Sequence, residues 1–369
     1  MNTLTKNLVM LNCIFGPNNR LIEKIDDYLP LGELDNPTDL LEVLEDCEYL
    51  DEKKIIDMSR FIMQDRLEFF LEYMENENIR VSTVFDKTYP ERLRLIDDNP
   101  FVLYYKGSIE EINGERCLSV VGSRKATSYG KWVAESFVSE LCRHGFSIVS
   151  GMAYGIDSIA HQTALACNSY TSAILGSGID VIYPKRNREL YSNISDRGSV
   201  ISEFAPGVSP LPFNFPYRNR IISGLSDAIL VVEAGEKSGT LITATYGFEQ
   251  DKEVFAIPGN IDNISARGTN RLIREGAKIT TCVDDILEEF RVDVHGTEDK
   301  FEQDGTLDAL QVDIIHSLKQ GEKSIVEIHE LTGHHIAELN SNLTVLELRG
   351  IVSQGRGKQF RLNRLNKER

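Results

Sequence analysis

Between residues 101 and 282 the chain repeats one pattern: a short run of apolar, often β-branched residues, a glycine-containing turn, then apolar positions at helical spacing. Phe101 to Tyr105 reads as a first strand. Leu118–Val121, Phe146–Val149 and Ser172–Leu175 follow as buried strands, and Ser199–Ser202, Ala228–Val232, Val254–Ile257 and Ile279–Cys282 as further strands of the same sheet. Between the first two of these, Trp132, Val133, Phe137, Val138 and Leu141 recur at helical intervals from Ser128, and Gly145 stops the helix. Further helices are expected from Asp157 through His161 and Ala164, from Leu241 to Phe248, and after the Arg267-Gly268-Thr269-Asn270 cap. Strands alternating with crossover helices predict an α/β domain with an extended Rossmann-like, doubly wound parallel sheet.

The flanks are patterned differently. Residues 1–85 are helical in spacing. Asp35-Asn36-Pro37-Thr38 reads as a cap before Leu40, Leu41, Val43 and Leu44, and Lys53 to Tyr73 carries apolar residues at mixed helical spacing. Phe290 to Gly305 is polar and charged, as a linker would be. Beyond it, helical patterns at 307–318, 324–331 and 336–348 precede short strands at 350–352 and 359–362, which flank the basic tip Gly355-Arg356-Gly357-Lys358. That order predicts a winged helix-turn-helix. The expected division is a helical domain at 1–85, a Rossmann-like domain at 86–290, a linker at 291–305 and a winged-helix-like domain at 306–369. DNA contact and a protein-interaction role both fit the last module. Its candidate recognition helix carries Glu338 and Glu347 and no basic residue before Arg349.

Charge changes this picture in one respect. The 369-residue chain has a formal net charge of −17, which argues at first sight against a polyanionic partner. Residues 1–100, however, carry 11 Lys and Arg against 22 Asp and Glu, whereas residues 101–280 carry 18 of each. The acidity sits in the flanks, and the central domain is free to meet phosphates. Neither a secretory leader nor an apolar run of membrane-spanning length is visible, and the six cysteines are scattered without a C-x-x-C pair. A reducing cytoplasm is the expected location.

Candidate chemistry collects at the strand ends, where open α/β sheets bind ligands. Gly122-Ser123-Arg124 follows the first buried strand and Ser150-Gly151-Met152-Ala153-Tyr154-Gly155 the second. Lys185 and Arg186 follow Tyr183-Pro184, and Arg218, Asn219 and Arg220 open a helical stretch. Lys237, Ser238, Gly239 and Thr240 follow the strand at 228–232, and Arg267 follows the next. Backbone donors and guanidinium forks along one edge suit a row of phosphates. Neither a G-x-x-x-x-G-K-[ST] loop nor a G-x-G-x-x-G fingerprint occurs, which removes the usual support for ATP hydrolysis or NAD chemistry. His161 lacks a second ligand at metal spacing and reads as structural. Asp157 and Glu203 fit a carboxylate pair and fit capping roles equally well. No nucleophile and base, no metal set and no cofactor are expected.

The same residues carry a resemblance. V-V-G-S-R at 120–124, S-G-M-A-Y-G-I-D-S-x-A-H at 150–161, G-x-G-x-D-x-x-Y-P at 176–184 and F-P-x-R-N-R-I-I-S-G-L-S at 215–226 are similar to the DNA-processing protein A (DprA/Smf) family. So are E-A-x-x-x-S-G-T-L-I-T-A at 233–244, A-I-P-G-N at 256–260, R-G-x-N-x-L-I-x-x-G-A at 267–277 and T-Y-P-E-R-L at 88–93. The resemblance implies a non-enzymatic, homodimeric single-stranded DNA-binding protein. It protects incoming strands during natural transformation and loads the RecA recombinase onto them. It places nucleic-acid contacts at Gly122, Ser123, Arg124, Lys185, Arg218, Asn219, Arg220, Lys237, Ser238, Gly239 and Thr240. The alternative is an enzyme resembling nucleotide phosphoribohydrolases on the same variant Rossmann fold. Their P-G-G-x-G-T-x-x-E turn holds a catalytic Glu, and Thr243 stands at that position here.

Overall fold

A computed structural model describes residues 1–28, 31, 50, 52–64, 66–114, 116–292, 307–318, 321–349, 351–355 and 359–362. The expected cap at residues 35–38, most of the linker and the basic tip at 356–358 lie outside them. The chain forms two compact units, Met1–Val292 and Asp293–Arg369.

The first unit opens with α1 (Thr3–Phe15), α2 (Asn19–Tyr28), α3 (Glu52–Met63) and α4 (Arg66–Asn76), the last two within the stretch of mixed helical spacing. Strands β1 (Arg80–Thr83), β2 (Val102–Gly107) and β3 (Cys117–Val121) lead to α5 (Ser128–Arg143), β4 (Ser147–Ser150) and α6 (Ile156–Ala166). Then come β5 (Thr171–Leu175), α7 (Arg188–Arg197), β6 (Ser199–Ser202), α8 (Asn214–Gly224), β7 (Ala228–Val231) and α9 (Thr240–Glu249). The unit closes with β8 (Glu253–Ala256), α10 (Arg267–Arg274), β9 (Lys278–Ile279) and α11 (Asp284–Glu289).

One sheet runs in the order β1-β2-β6-β5-β4-β3-β7-β8-β9. The pairs β1–β2 and β2–β6 are antiparallel; every other pair is parallel. Successive side chains enter opposite apolar layers, as the two-residue period of a strand requires. Tyr104, Ala173 and Val200 join one layer, while Tyr105, Ile174 and Ile201 join the other. That is why the strands read as continuous apolar runs.

The amino-terminal helices share the first layer. Leu8, Met10 and Ile22 pack in the same cluster as Val102, Tyr104 and Ala173. Residue 85 is therefore not a break in packing: the helical segment and the sheet bury a common core, and β1 joins them.

In the second unit, α12 (Ala309–Leu318), β10 (Lys323–Ser324), α13 (Ile325–Thr332), α14 (Ile336–Leu348), β11 (Val352–Gln354) and β12 (Gln359–Leu362) surround Ile314, Ile328, Leu339, Leu343 and Phe360. The strands order as β10-β12-β11, all antiparallel. Ser324 and Glu327 form a reciprocal capping box that starts α13. Gly333, left-handed at φ 72°, ends it.

Candidate nucleic-acid interface

The strand order reverses beside β3. Strands β4, β5 and β6 step away on one side, and β7 begins on the other. The crevice outside the carboxyl ends of β3 and β7 is the topological switch point, where doubly wound sheets take their ligands. The turn Gly122-Ser123-Arg124 lies there, and three neighbouring elements grip it. The Thr240 hydroxyl donates to the Gly122 carbonyl at 3.0 Å. The Ile156 amide donates to the Ser123 carbonyl at 3.2 Å. At the far end of the loop, Glu233 accepts from the Thr127 amide at 3.0 Å and from its hydroxyl. Thr127 in turn caps α5 by accepting from the Gly130 amide. The approach at Gly155 is close: its φ is +78°, and a Cβ there would lie 2.2 Å from the Ser123 carbonyl oxygen.

The predicted site residues divide by exposure. Arg124, Lys185 and Lys237 are exposed at the strand ends. Arg124 lies over the Phe215 ring with its guanidinium carbon 5.7 Å from the centroid. Ser238, Gly239, Thr240 and Asn219 fasten loops together: Ser238 donates to Thr240, and the Asn219 side chain donates to the Gly239 carbonyl at 3.4 Å. Arg218 and Arg220 are interior, at 4% and 3% exposure. Both are expected DNA contacts, and in the structure each is engaged by partners within the protein.

Arg218 donates to the Gly151 carbonyl at 3.2 Å and to the Ile174 carbonyl, so it props the ends of β4 and β5 from beneath. Burial pulls its guanidinium down to about 10, and the Asp157 carboxylate works the other way. Asp157 accepts from the Gly151 and Ala153 amides at 3.2 and 3.4 Å. It thereby occupies donors of that turn which an anion would otherwise take. Arg220 donates to Asp98 at 3.0 Å and Glu203 at 2.6 Å, and it stacks 4.1 Å from the Tyr217 ring centroid. Burial opposes its charge, but Glu203, Tyr217 and Asp98 outweigh burial and hold the proton on more firmly than usual. Asn19, from the start of α2, reaches the same Glu203 carboxylate at 2.7 Å. A cleft of about 480 Å³ shares Asn19, Asp98 and Tyr217 with this junction.

Sequence reasoning missed the aromatics of the edge. A small pocket of about 30 Å³ is lined by Arg124, Gly151, Tyr154, Tyr183, Phe215 and Arg218, among others. Tyr183 and Phe215 stand 5.5 Å apart with rings tilted at 41°. Tyr154 and Tyr183 are each 44% exposed and Phe213 69%. The available signal was position: each follows a strand end or opens α8 among the basic residues already singled out. His161 lies away from this chemistry. It is buried with its Nδ1 2.7 Å from the Thr171 hydroxyl, and burial lowers its pKa to about 3. Among the described residues, no three His, Cys, Asp or Glu side chains are placed to hold a metal ion. No described helix is long and apolar enough to cross a membrane.

Fold and site together define a doubly wound α/β protein with basic and aromatic side chains gathered at its switch point. The chain belongs to the DNA recombination-mediator protein A family, whose model matches residues 80–291, and it is a DNA-processing recombination mediator. It is 35% identical over 307 residues to protein Smf of Escherichia coli K12, covering 81% of each chain. It is 40% identical over 213 residues to DNA processing protein DprA of Bacillus subtilis, covering 58% of this chain and 72% of that one. The crystal structure of DprA from Streptococcus pneumoniae superposes with a TM-score of 0.68 at 34% identity, covering 78% of this chain and 99% of that one. DprA of Helicobacter pylori, whose solved structure concerns its single-stranded DNA binding mode, superposes at 0.53 with 28% identity, covering 58% and 97%.

Proposed function

We propose that the chain binds single-stranded DNA along the carboxyl edge of its sheet, without catalysing a reaction on it. Arg124, Lys185 and Lys237 take phosphates, while Tyr154, Tyr183 and Phe215 offer faces for bases. Gly122 and Ser123 form the loop beneath the strand. Asn219, Ser238, Gly239 and Thr240 hold that loop in shape, and Arg218 and Arg220 support it from the interior. One observation carries the reading: Arg124 is exposed over Phe215, beside an open pocket with two further exposed tyrosines. Cations that follow a backbone, interleaved with rings that accept any base, are what sequence-tolerant strand binding requires. The binding mode described for the Helicobacter pylori relative supports the choice of single strands.

In this reading the protein shields incoming strands during natural transformation and delivers them to a RecA recombinase. It works in the cytoplasm as a homodimer. Self-association is supported by the open β9 edge, where Ile279 is 52% exposed, and by Phe248 at 39%.

Anisotropy of a labelled oligo-dT strand across a salt series tests the site. Each phosphate contact contributes a slope of roughly −0.7 on single strands. Wild type should show a slope of several units, and Arg124→Ala should lose affinity and about one contact's share of slope. An absence of binding at low salt would overturn the reading.

A further inference from the structure

The edge continues past Arg124 on the side away from Tyr154 and Tyr183. There, on the first turns of α5, Tyr129 and Trp132 are 47% and 57% exposed, with ring centroids 6.3 Å apart and planes tilted by 30°. Trp132 is the one tryptophan in the chain. A large exposed ring beside another is uncommon on a surface that meets only water. The position of the pair is fixed by Gly130, where a Cβ would lie 2.3 Å from the Glu233 carboxyl carbon. The first turn of α5 is therefore pressed against the end of β7. The Tyr183 pocket, by contrast, lies toward β4 and β5. Lys125 is exposed on the intervening loop, and Lys131, on the same helix, is exposed in a surface pair with Glu135 at 3.7 Å.

We infer that Tyr129 and Trp132 form a second base-stacking platform for the same single strand. The strand would leave the Tyr183–Phe215 pocket, cross Arg124 and continue over α5 toward Lys237. This rests on the single-strand reading above and adds a direction to it. The occupant is nucleic acid because the platform follows directly on the basic loop that carries the exposed Arg124 and Lys125.

The test uses full-length protein and labelled oligo-dT, followed by strand anisotropy and by tryptophan emission in the same titration. Emission from Trp132 should be quenched in step with the anisotropy rise. Trp132→Ala should weaken binding about 5- to 150-fold, the range one base–aromatic stack contributes, with the salt slope unchanged because no counterion is released. Trp132→Phe should retain most of the affinity. An anisotropy rise with steady emission, and an Ala variant that binds like wild type, would sink the platform and leave the Arg124 site standing. If that variant instead loses self-association in sedimentation while binding DNA normally, the face belongs to a second copy of the chain and the inference also fails. Failure of wild type to bind at all would count against the single-strand reading itself.

Discussion

Arg124 and Arg220 show how differently one residue type is used in two regions of this molecule. At the strand-end edge, Arg124 is exposed and its clearest neighbour is the Phe215 ring. At the interior junction, Arg220 is bound by Asp98, Glu203 and Tyr217 and reaches almost no solvent. A guanidinium at an open edge keeps donors for an incoming anion. One buried between two carboxylates has become part of the scaffold, and removing it would strand the carboxylates. Basic residues clustered at strand ends in a sequence therefore belong to two populations, and only partners distant in the chain separate them.

The largest expected effect breaks the comparison at its interior end. Arg220→Met leaves Glu203 buried without its cation and should cost about 3–5 kcal/mol in urea unfolding. Arg124→Ala should stay within about 0.5 kcal/mol of wild type, as exposed substitutions do. Equal melting of the two variants would erase the distinction.

A pH series sharpens the same contrast. The folded pKa of His161, about 3, lies below its ordinary value of 6.5, so between those values only the unfolded chain takes up the proton. Its contribution to stability is present above the unfolded value and is lost as pH falls toward 3, at up to about 1.4 kcal/mol per pH unit. His161→Leu should flatten that part of the urea-midpoint profile. A variant profile parallel to wild type would show that His161 is not the group responsible.

The smallest effect tests the loop between the two regions. Thr240→Val removes the hydrogen bond to the Gly122 carbonyl and should cost about 0.5–1.5 kcal/mol. DNA affinity should fall a few-fold at constant salt slope. A reduced slope would make Thr240 a phosphate contact after all.

The central sheet was legible because its inner strands bury both faces. Runs such as Leu118–Val121 and Ser199–Ser202 have no other sensible reading, and the observed strands match them to within a residue or two. Strand β1 is not singled out in the sequence reading, which places residues 80–83 at the end of the helical segment. Arg-Val-Ser-Thr is an edge strand with the exposure of its residues falling gradually, and among the described residues it pairs with β2 alone. The shared core of the helical segment was hidden for a related reason. Leu8 and Met10 look like any helix core until Tyr104 and Ala173 are seen to complete it. At the site, the cations could be read from position, but the burial of Arg220 depends on Asp98 and Glu203 arriving from separate segments. The platform residues were legible only as helix-forming apolars, since spacing does not say which face a lone Trp132 occupies.

The junction also bears on how the chain is made. The Asn12 side chain, near the beginning of the chain, donates to the Glu203 carbonyl, 191 residues further on. At translation rates of about 5–20 residues per second, the helix bearing Asn12 emerges roughly 10–40 s before that partner exists. Throughout that interval Leu8, Met10 and Ile22 have no finished sheet to cover them. Synonymous changes that slow elongation before residue 203 would lengthen the time these apolar side chains stay uncovered.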